Sequence, residues 1–82
     1  MEPEQIQSMI ETGLECSLVN VEGDGSHFQA LVVSELFDGK GLVAQHQMVY
    51  GTLGDYMQEA IHALSLRTLT PAAWEEAKKR PF

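Results

Sequence analysis

The sequence predicts a single α+β domain spanning residues 1–82, with a three-stranded mixed sheet and the element order α-β-β-α-α-β-α. Three observations lead to this class. The chain has 82 residues, 44% of them hydrophobic, which is enough for one small core and too little for a second domain. Apolar residues follow helical spacing, then strand alternation, then helical spacing again. Two helical segments separate the second strand from the third, a crossover that suits parallel strands.

The first helix begins at Pro3, because proline is well tolerated in the first turn of a helix. It ends beside Gly13, and its apolar stripe is formed by Ile6, Met9, Ile10 and Leu14. Two strands follow, separated by a turn at residues 23–25, and this short connection favours antiparallel pairing. The first strand contains Leu18, Val19 and Val21, and the second covers residues 28–33.

A pair of helices is predicted after a glycine-rich break at residues 38–41. Gly51 interrupts the helical spacing, and Thr52 can cap a second helix with Asp55 three residues later. The first helix of the pair carries Leu42, Val43, His46, Val49 and Tyr50, and the second carries Leu53, Tyr56, Met57, Ala60 and Ile61.

A third strand and a last helix complete the order. The strand alternates Leu64, Leu66 and Thr68 with Ser65, Arg67 and Leu69. The helix begins at Thr70-Pro71, where a hydroxyl cap precedes a proline. We expect Trp74 to pack inward, and the cations Lys78, Lys79 and Arg80 to stabilise the negative end of this helix.

Charge and composition exclude several classes of function. The formal net charge is −7, and residues 1–77 hold two basic side chains, Lys40 and Arg67, against all 12 acids. Because a duplex-binding surface needs clustered cations, this balance disfavours nucleic acid. The longest apolar run, residues 31–33, is far too short for a membrane span, and the N-terminus does not resemble a signal peptide. We expect Cys16 to be a small, buried hydrophobe in a reducing, cytoplasmic compartment.

Two histidines are placed at the same end of the predicted sheet. His27 lies at the start of the second strand and His62 immediately precedes the third. If these strands are parallel neighbours, about 4.8 Å apart, both imidazoles can reach one ion or cluster. A histidine at a strand edge is more commonly a hydrogen-bonded surface residue, so the spacing alone leaves both interpretations open. We expect His46, on one helical face with Val49 and Tyr50, to be packed and hydrogen-bonded.

Several ordered motifs, covering nearly the whole chain, resemble the signature of the BolA family. These motifs are Phe37-Asp38-Gly39-Lys40, Leu42-Val43, His46, Val49-Tyr50, His62-Ala63-Leu64-Ser65-Leu66, Thr68-Leu69-Thr70-Pro71 and Trp74. Residues 23–28 are similar to the IbaG subgroup of bacterial BolA-like proteins. The resemblance implies a class II KH-like fold, which agrees with the element order above.

The resemblance also implies an adaptor that pairs with monothiol glutaredoxins of the CGFS type and shares a [2Fe-2S] cluster with them. It places one ligand on His62. Where several relatives have a loop ligand this chain has Asp24, and the nearest suitable side chain is His27. Since a cluster needs four ligands, the glutaredoxin cysteine and glutathione would supply the rest. We therefore expect no cluster in the isolated chain, which would be a monomer or weak homodimer, and a role in resistance to acid stress.

Two other classes of function have weaker support in the sequence. DNA-binding transcriptional regulation is the alternative, because the resemblance implies this role for some BolA proteins. Gly51-Thr52-Leu53-Gly54 also matches the GxxG loop with which KH domains clamp a nucleotide backbone, although a lone GxxG is weak evidence. Residues 42–60 contain no basic residue, however, and the positions that flank His46 are Gln45 and Gln47. Catalysis is not expected, since Ser26-His27 beside Asp24 has triad residue types but no oxyanion site. An adaptor that binds glutaredoxin without metal also remains open.

Overall fold

The structure, a computed structural model, describes residues 2–56 and 63–79. Its elements in chain order are α1 (Pro3–Gly13), β1 (Leu18–Gly23), β2 (His27–Val33), a 3-10 turn (Glu35–Phe37), α2 (Leu42–Leu53), β3 (Ala63–Leu69) and α3 (Pro71–Lys78). The predicted second helix of the central pair depends on Met57, Ala60 and Ile61, which lie outside the described residues.

The sheet has the strand order β1-β2-β3. β1 pairs with β2 in antiparallel register, with Gly23 opposite Phe28. β2 pairs with β3 in parallel register, with His27 opposite Ala63 and Val33 opposite Leu69. The predicted mixed sheet is therefore confirmed, and the first residues of β2 and β3 lie side by side at one end of it.

The core lies between one face of this sheet and the helices α1 and α2. Ile6 and Ile10 of the predicted α1 stripe are fully buried. They pack in one cluster with Leu14, Val19, Val21, Phe28, Ala30, Val32, Phe37, Val49 and Leu53. Cys16 is half-buried against this cluster, so it packs on the core but is less buried than the sequence predicts.

The helix α2 continues through Gly51, so the predicted interruption at that residue is wrong. Thr52 does not cap a new helix. Its hydroxyl donates a 2.6 Å hydrogen bond to the carbonyl of Val49 within the same helix. The helix ends instead at Gly54, whose φ of +55° is a conformation that glycine adopts readily. Of the four GxxG residues, Gly51, Thr52 and Leu53 are consequently helical.

The apolar stripe of α2 is buried only in the second half of the helix. Val49 and Leu53 are 0% and 1% exposed, whereas Leu42 and Val43 are 63% and 71% exposed. Leu42 and Val43 therefore share the helical spacing of Val49 without contributing to the core. The first turn of α2 lies beyond the area in which the helix packs on the sheet, so helical spacing alone overestimates the length of the buried face.

The helix α3 packs against β3. As predicted, Thr70 caps it, and its hydroxyl accepts a 3.2 Å hydrogen bond from the backbone N–H of Ala73. Trp74 packs less deeply than expected, because it is half-buried and no residue of this helix is fully buried. Lys78 and Lys79 pair with Glu75 and Glu76, and Arg80 lies outside the described residues.

Candidate metal-ligand site

His27 is the first residue of β2, and its side chain is exposed to solvent. The parallel register places it directly opposite Ala63, the first residue of β3. The preceding residue in the sequence is His62, which lies outside the described residues. The topology that motivated a shared site is thus present, with His27 beside the residue that follows His62.

The turn before His27 is held by Asp24. The Oδ1 atom of Asp24 accepts hydrogen bonds from the backbone N–H groups of His27, at 2.9 Å, and Ser26, at 3.0 Å. The backbone N–H of Asp24 in turn donates to the carbonyl of His27 at 3.2 Å. The N–H of His27 and then that of Ser26 hold the pKa of the Asp24 carboxyl below its usual value, because both favour the charged form.

These contacts distinguish the two candidate loop ligands. One carboxylate oxygen of Asp24 is already occupied by two backbone donors, and it fixes the backbone of His27 rather than its ring. The His27 side chain is exposed at the edge of the sheet. His27 is therefore the better placed of the two to bind a metal.

Gly23 keeps the turn close to the core. A methyl group added at this position would lie 2.5 Å from Cδ1 of Phe28 and 2.6 Å from the carbonyl oxygen of His27. Phe28 is 1% exposed and belongs to the core cluster. The absence of a side chain at Gly23 thus lets the loop that presents His27 approach the buried aromatic ring.

His27 borders an open cavity of about 540 Å³ at this end of the sheet. The cavity is lined by Glu22, Gly23, Asp24, His27, Phe28, Gln29, Ala63 and Ser65. Within residues 2–56 and 63–79, no three His, Cys, Asp or Glu side chains come together as a metal-binding group. An exposed imidazole beside an open cavity fits a site to which this chain contributes only part of the ligands.

His46 is the second histidine that the structure describes. Its ring packs edge-on to Tyr50, with the ring centroids 6.3 Å apart. The Nε2 atom is buried, and no residue of the described chain hydrogen-bonds it. The predicted packing of His46 is confirmed, whereas the predicted hydrogen bond is not found among these residues.

The side chain of Gln45 links three elements, a role that the sequence pattern does not indicate. Its Nε2 donates to the carbonyl of Lys40 at 2.8 Å, and its Oε1 accepts from the hydroxyl of Thr68 at 2.6 Å. One feature of the sequence indicates that such a hydrogen bond is needed, namely Thr68, a polar residue on the inward-facing side of the alternating strand β3. A buried hydroxyl requires a partner, but the sequence does not show which one.

In the described part of the chain, the side chains of Asp24 and Cys16 bond to backbone groups rather than to a catalytic partner. The carboxylate of Asp24 binds backbone N–H groups and leaves the imidazole of His27 without a carboxylate orienter from this residue. The thiol of Cys16 donates to the carbonyl of Leu14 at 3.3 Å. Burial, and secondarily the nearby charge of Glu11, raises the pKa of the Cys16 thiol. Its reactive thiolate form is therefore less populated than in an exposed cysteine.

No helix among residues 2–56 and 63–79 has both the length and the apolar character needed to cross a bilayer.

Comparisons with known proteins identify the family. The family model described as BolA-like protein matches residues 5–73. The acid stress protein IbaG of Escherichia coli K12 is 46% identical over 80 residues, which cover 96% of this chain and 95% of the relative. The DNA-binding transcriptional regulator BolA of the same strain is 40% identical over 60 residues, which cover 73% of this chain and 57% of that protein. The structure of a BolA homologue from Coxiella burnetii has a TM-score of 0.83 and 46% identity, and the match covers 92% of this chain and 97% of that one. The chain therefore belongs to the BolA family and is IbaG-like.

Proposed function

We propose that this protein is a non-enzymatic adaptor that binds a monothiol CGFS glutaredoxin and shares a [2Fe-2S] cluster with it. The observation that supports the proposal is the parallel register of β2 and β3. It sets His27 opposite Ala63, the residue that follows His62 in the sequence. One candidate ligand, His27, is thus the first residue of β2, and the other, His62, directly precedes in sequence the residue that begins β3.

In this function His27 and His62 would each bind iron through a neutral imidazole nitrogen. Asp24 holds the backbone at the start of β2, and Gly23 allows the turn to close against Phe28. The glutaredoxin cysteine and glutathione complete the ligand set. The cluster supplies iron and sulfide for delivery to a recipient, with a redox potential that depends on its histidine ligands.

The proposed role in acid stress is based on the IbaG relative. That protein is named for acid stress, and we extend this role to the present chain. A histidine must be unprotonated to bind iron, so acidification weakens histidine ligation and favours release of the cluster. Incubating the reconstituted complex at about pH 5.5 and about pH 7.5 tests this link. Equal cluster lifetimes at the two values would remove it.

Anaerobic reconstitution with a CGFS glutaredoxin and glutathione tests the main proposal. Visible circular dichroism is recorded for the glutaredoxin alone and with wild type, His27→Ala or His62→Ala. Ser26→Ala is the matched control, because Ser26 is an exposed neighbour whose backbone makes the contact with Asp24.

We expect wild type and Ser26→Ala to change the cluster spectrum and both histidine variants to lose that change. If wild type leaves the spectrum unaltered, the cluster function is wrong. If wild type acts but His27→Ala acts equally, the loop ligand is another group.

DNA binding is the second candidate, because one relative is named a DNA-binding transcriptional regulator. The basic side chains in the described part of the chain give DNA binding little support. Lys78 and Lys79 each pair with a glutamate, and the GxxG segment forms the end of α2. Binding of duplex DNA measured at several salt concentrations discriminates the two functions. An affinity that falls steeply as salt rises would favour the DNA function.

A further inference from the structure

The sheet face opposite α1 and α2 carries a shallow trough. A cavity of about 300 Å³ lies over the middle of the sheet, and the cavity of about 540 Å³ lies beside His27. Glu22, Gln29 and Ser65 line both cavities, so the two form one continuous depression. We call this depression the open trough.

Strand register gives the open trough its length. The outward-facing pairs of β2 and β3 are His27 with Ala63, Gln29 with Ser65, and Leu31 with Arg67. Ala63 and Arg67 are four residues apart, or about 13 Å at roughly 3.3 Å per residue. The trough therefore accommodates about three or four residues of an extended peptide.

The side chains along the open trough match a peptide better than a polyanion. Gln29 and Ser65 are exposed at its centre and can donate and accept hydrogen bonds with peptide groups. Arg67 is exposed at one end, and no carboxylate of the described residues lies within ion-pairing distance of it. A guanidinium binds a carboxylate through two parallel hydrogen bonds.

The charged side chains that line the open trough restrict the class of ligand further. Two acidic residues line the trough, Glu22 on the β1 side and Asp24 near His27. A polyphosphate or nucleic acid would meet these two carboxylates and one cation, whereas a peptide can place its C-terminal carboxylate on Arg67 and an ammonium group beside the acidic side chains. The chemistry thus favours a short, weakly charged peptide.

We propose that the open trough binds an extended peptide of tripeptide length, with its free carboxylate on Arg67 and its chain running toward His27. The choice of ligand rests on the proposed function, in which glutathione is a cluster ligand. Glutathione is a tripeptide with a thiol, a free glycine carboxylate, and an ammonium group beside a second carboxylate at its γ-glutamyl end. This chain would then contact the peptide itself, in addition to the cluster.

Titration of the isotopically labelled, metal-free protein with S-methylglutathione tests the inference by NMR. We expect saturable shifts of the backbone amides of Gln29, Ser65 and Arg67. Arg67→Gln should weaken binding about fivefold, the size of an exposed ion pair. The affinity for an analogue whose glycine carboxylate is converted to an amide should be lower by a similar factor. Lys40→Gln, which removes a cation at an exposed position outside the trough, should bind like wild type.

Three results would overturn the inference. The first is that the amide shifts are absent or confined to other surfaces. The second is that wild type and Arg67→Gln bind S-methylglutathione with equal affinity. The third is that wild type binds the amide analogue as tightly as S-methylglutathione. Circular dichroism of each variant verifies that it is folded. Because the titration uses no metal, its failure leaves the cluster function standing if wild type still alters the glutaredoxin spectrum. Binding in the trough without any effect on that spectrum would instead reject the cluster function alone.

Discussion

The hydroxyl of Thr68 donates a 2.6 Å hydrogen bond to Oε1 of Gln45, and this bond joins β3 to α2 across the edge of the core. Thr68 is 6% exposed, so its hydroxyl cannot rely on solvent. Gln45 uses the other end of its amide to donate to the carbonyl of Lys40. One side chain thus fixes the loop before α2, the helix itself and the last strand.

Thr68→Val should destabilise the fold by about 1 kcal/mol, because it leaves Oε1 of Gln45 without this donor while preserving side-chain volume. Equilibrium unfolding in urea measures the change. Thr68→Ser keeps the hydroxyl and is the control for the hydrogen bond. A double-mutant cycle with Gln45→Ala should give a nonzero coupling energy. Additive effects of the two substitutions would show that the bond contributes nothing.

The element order follows from local patterns, which is why the sequence predicts it well. Helical spacing and alternation identify α1 and β3, and the crossover requires parallel pairing of β2 with β3. Because the two strands are parallel neighbours, their first residues lie at the same end of the sheet, and the candidate site depends on this placement. The Gln45–Thr68 bond joins residues 23 positions apart, and no local pattern encodes such a partner.

The error at Gly51 has a different origin. Glycine costs about 1 kcal/mol inside a helix, a penalty that tertiary packing can exceed. Val49 and Leu53 are both buried and lie on either side of Gly51, so their packing holds α2 together through it. Exposure of Leu42 and Val43 likewise depends on where the helix meets the sheet, which spacing does not determine.

Two alanine substitutions separate the roles of the glycines. Gly23→Ala should destabilise the fold by about 1–3 kcal/mol, because its methyl group would overlap Phe28 and the backbone of His27. Gly51→Ala should stabilise it by about 0.5–1 kcal/mol, since outside the helix's own backbone no atom of the described residues lies within 4 Å of the added carbon. Thermal and urea unfolding report both changes. Equal effects of the two substitutions would contradict the close approach at Gly23.

Cys16 should react slowly with iodoacetamide at neutral pH. Burial and the charge of Glu11 raise the pKa of its thiol, so the thiolate becomes abundant only at a pH above the usual value for cysteine. The alkylation rate as a function of pH should therefore have a higher midpoint in the folded protein than in the urea-unfolded chain. Mass spectrometry of the alkylated product measures both rates. A coincident midpoint in the two states would show that the fold does not shield Cys16.

Asp24 should titrate at a lower pH in the folded protein than in an unstructured peptide. The N–H groups of His27 and Ser26 stabilise its charged form, so its folded-state pKa is depressed. The associated stability is therefore present above the unfolded pKa and is lost as the pH falls through the folded value. In NMR spectra of the metal-free protein, the amide protons of His27 and Ser26 should shift with the same midpoint as the Asp24 carboxyl. Asp24→Asn should remove this titration from both amides. If the midpoint in the folded protein instead equals that of a peptide with the sequence of residues 22–28, the turn does not form in solution.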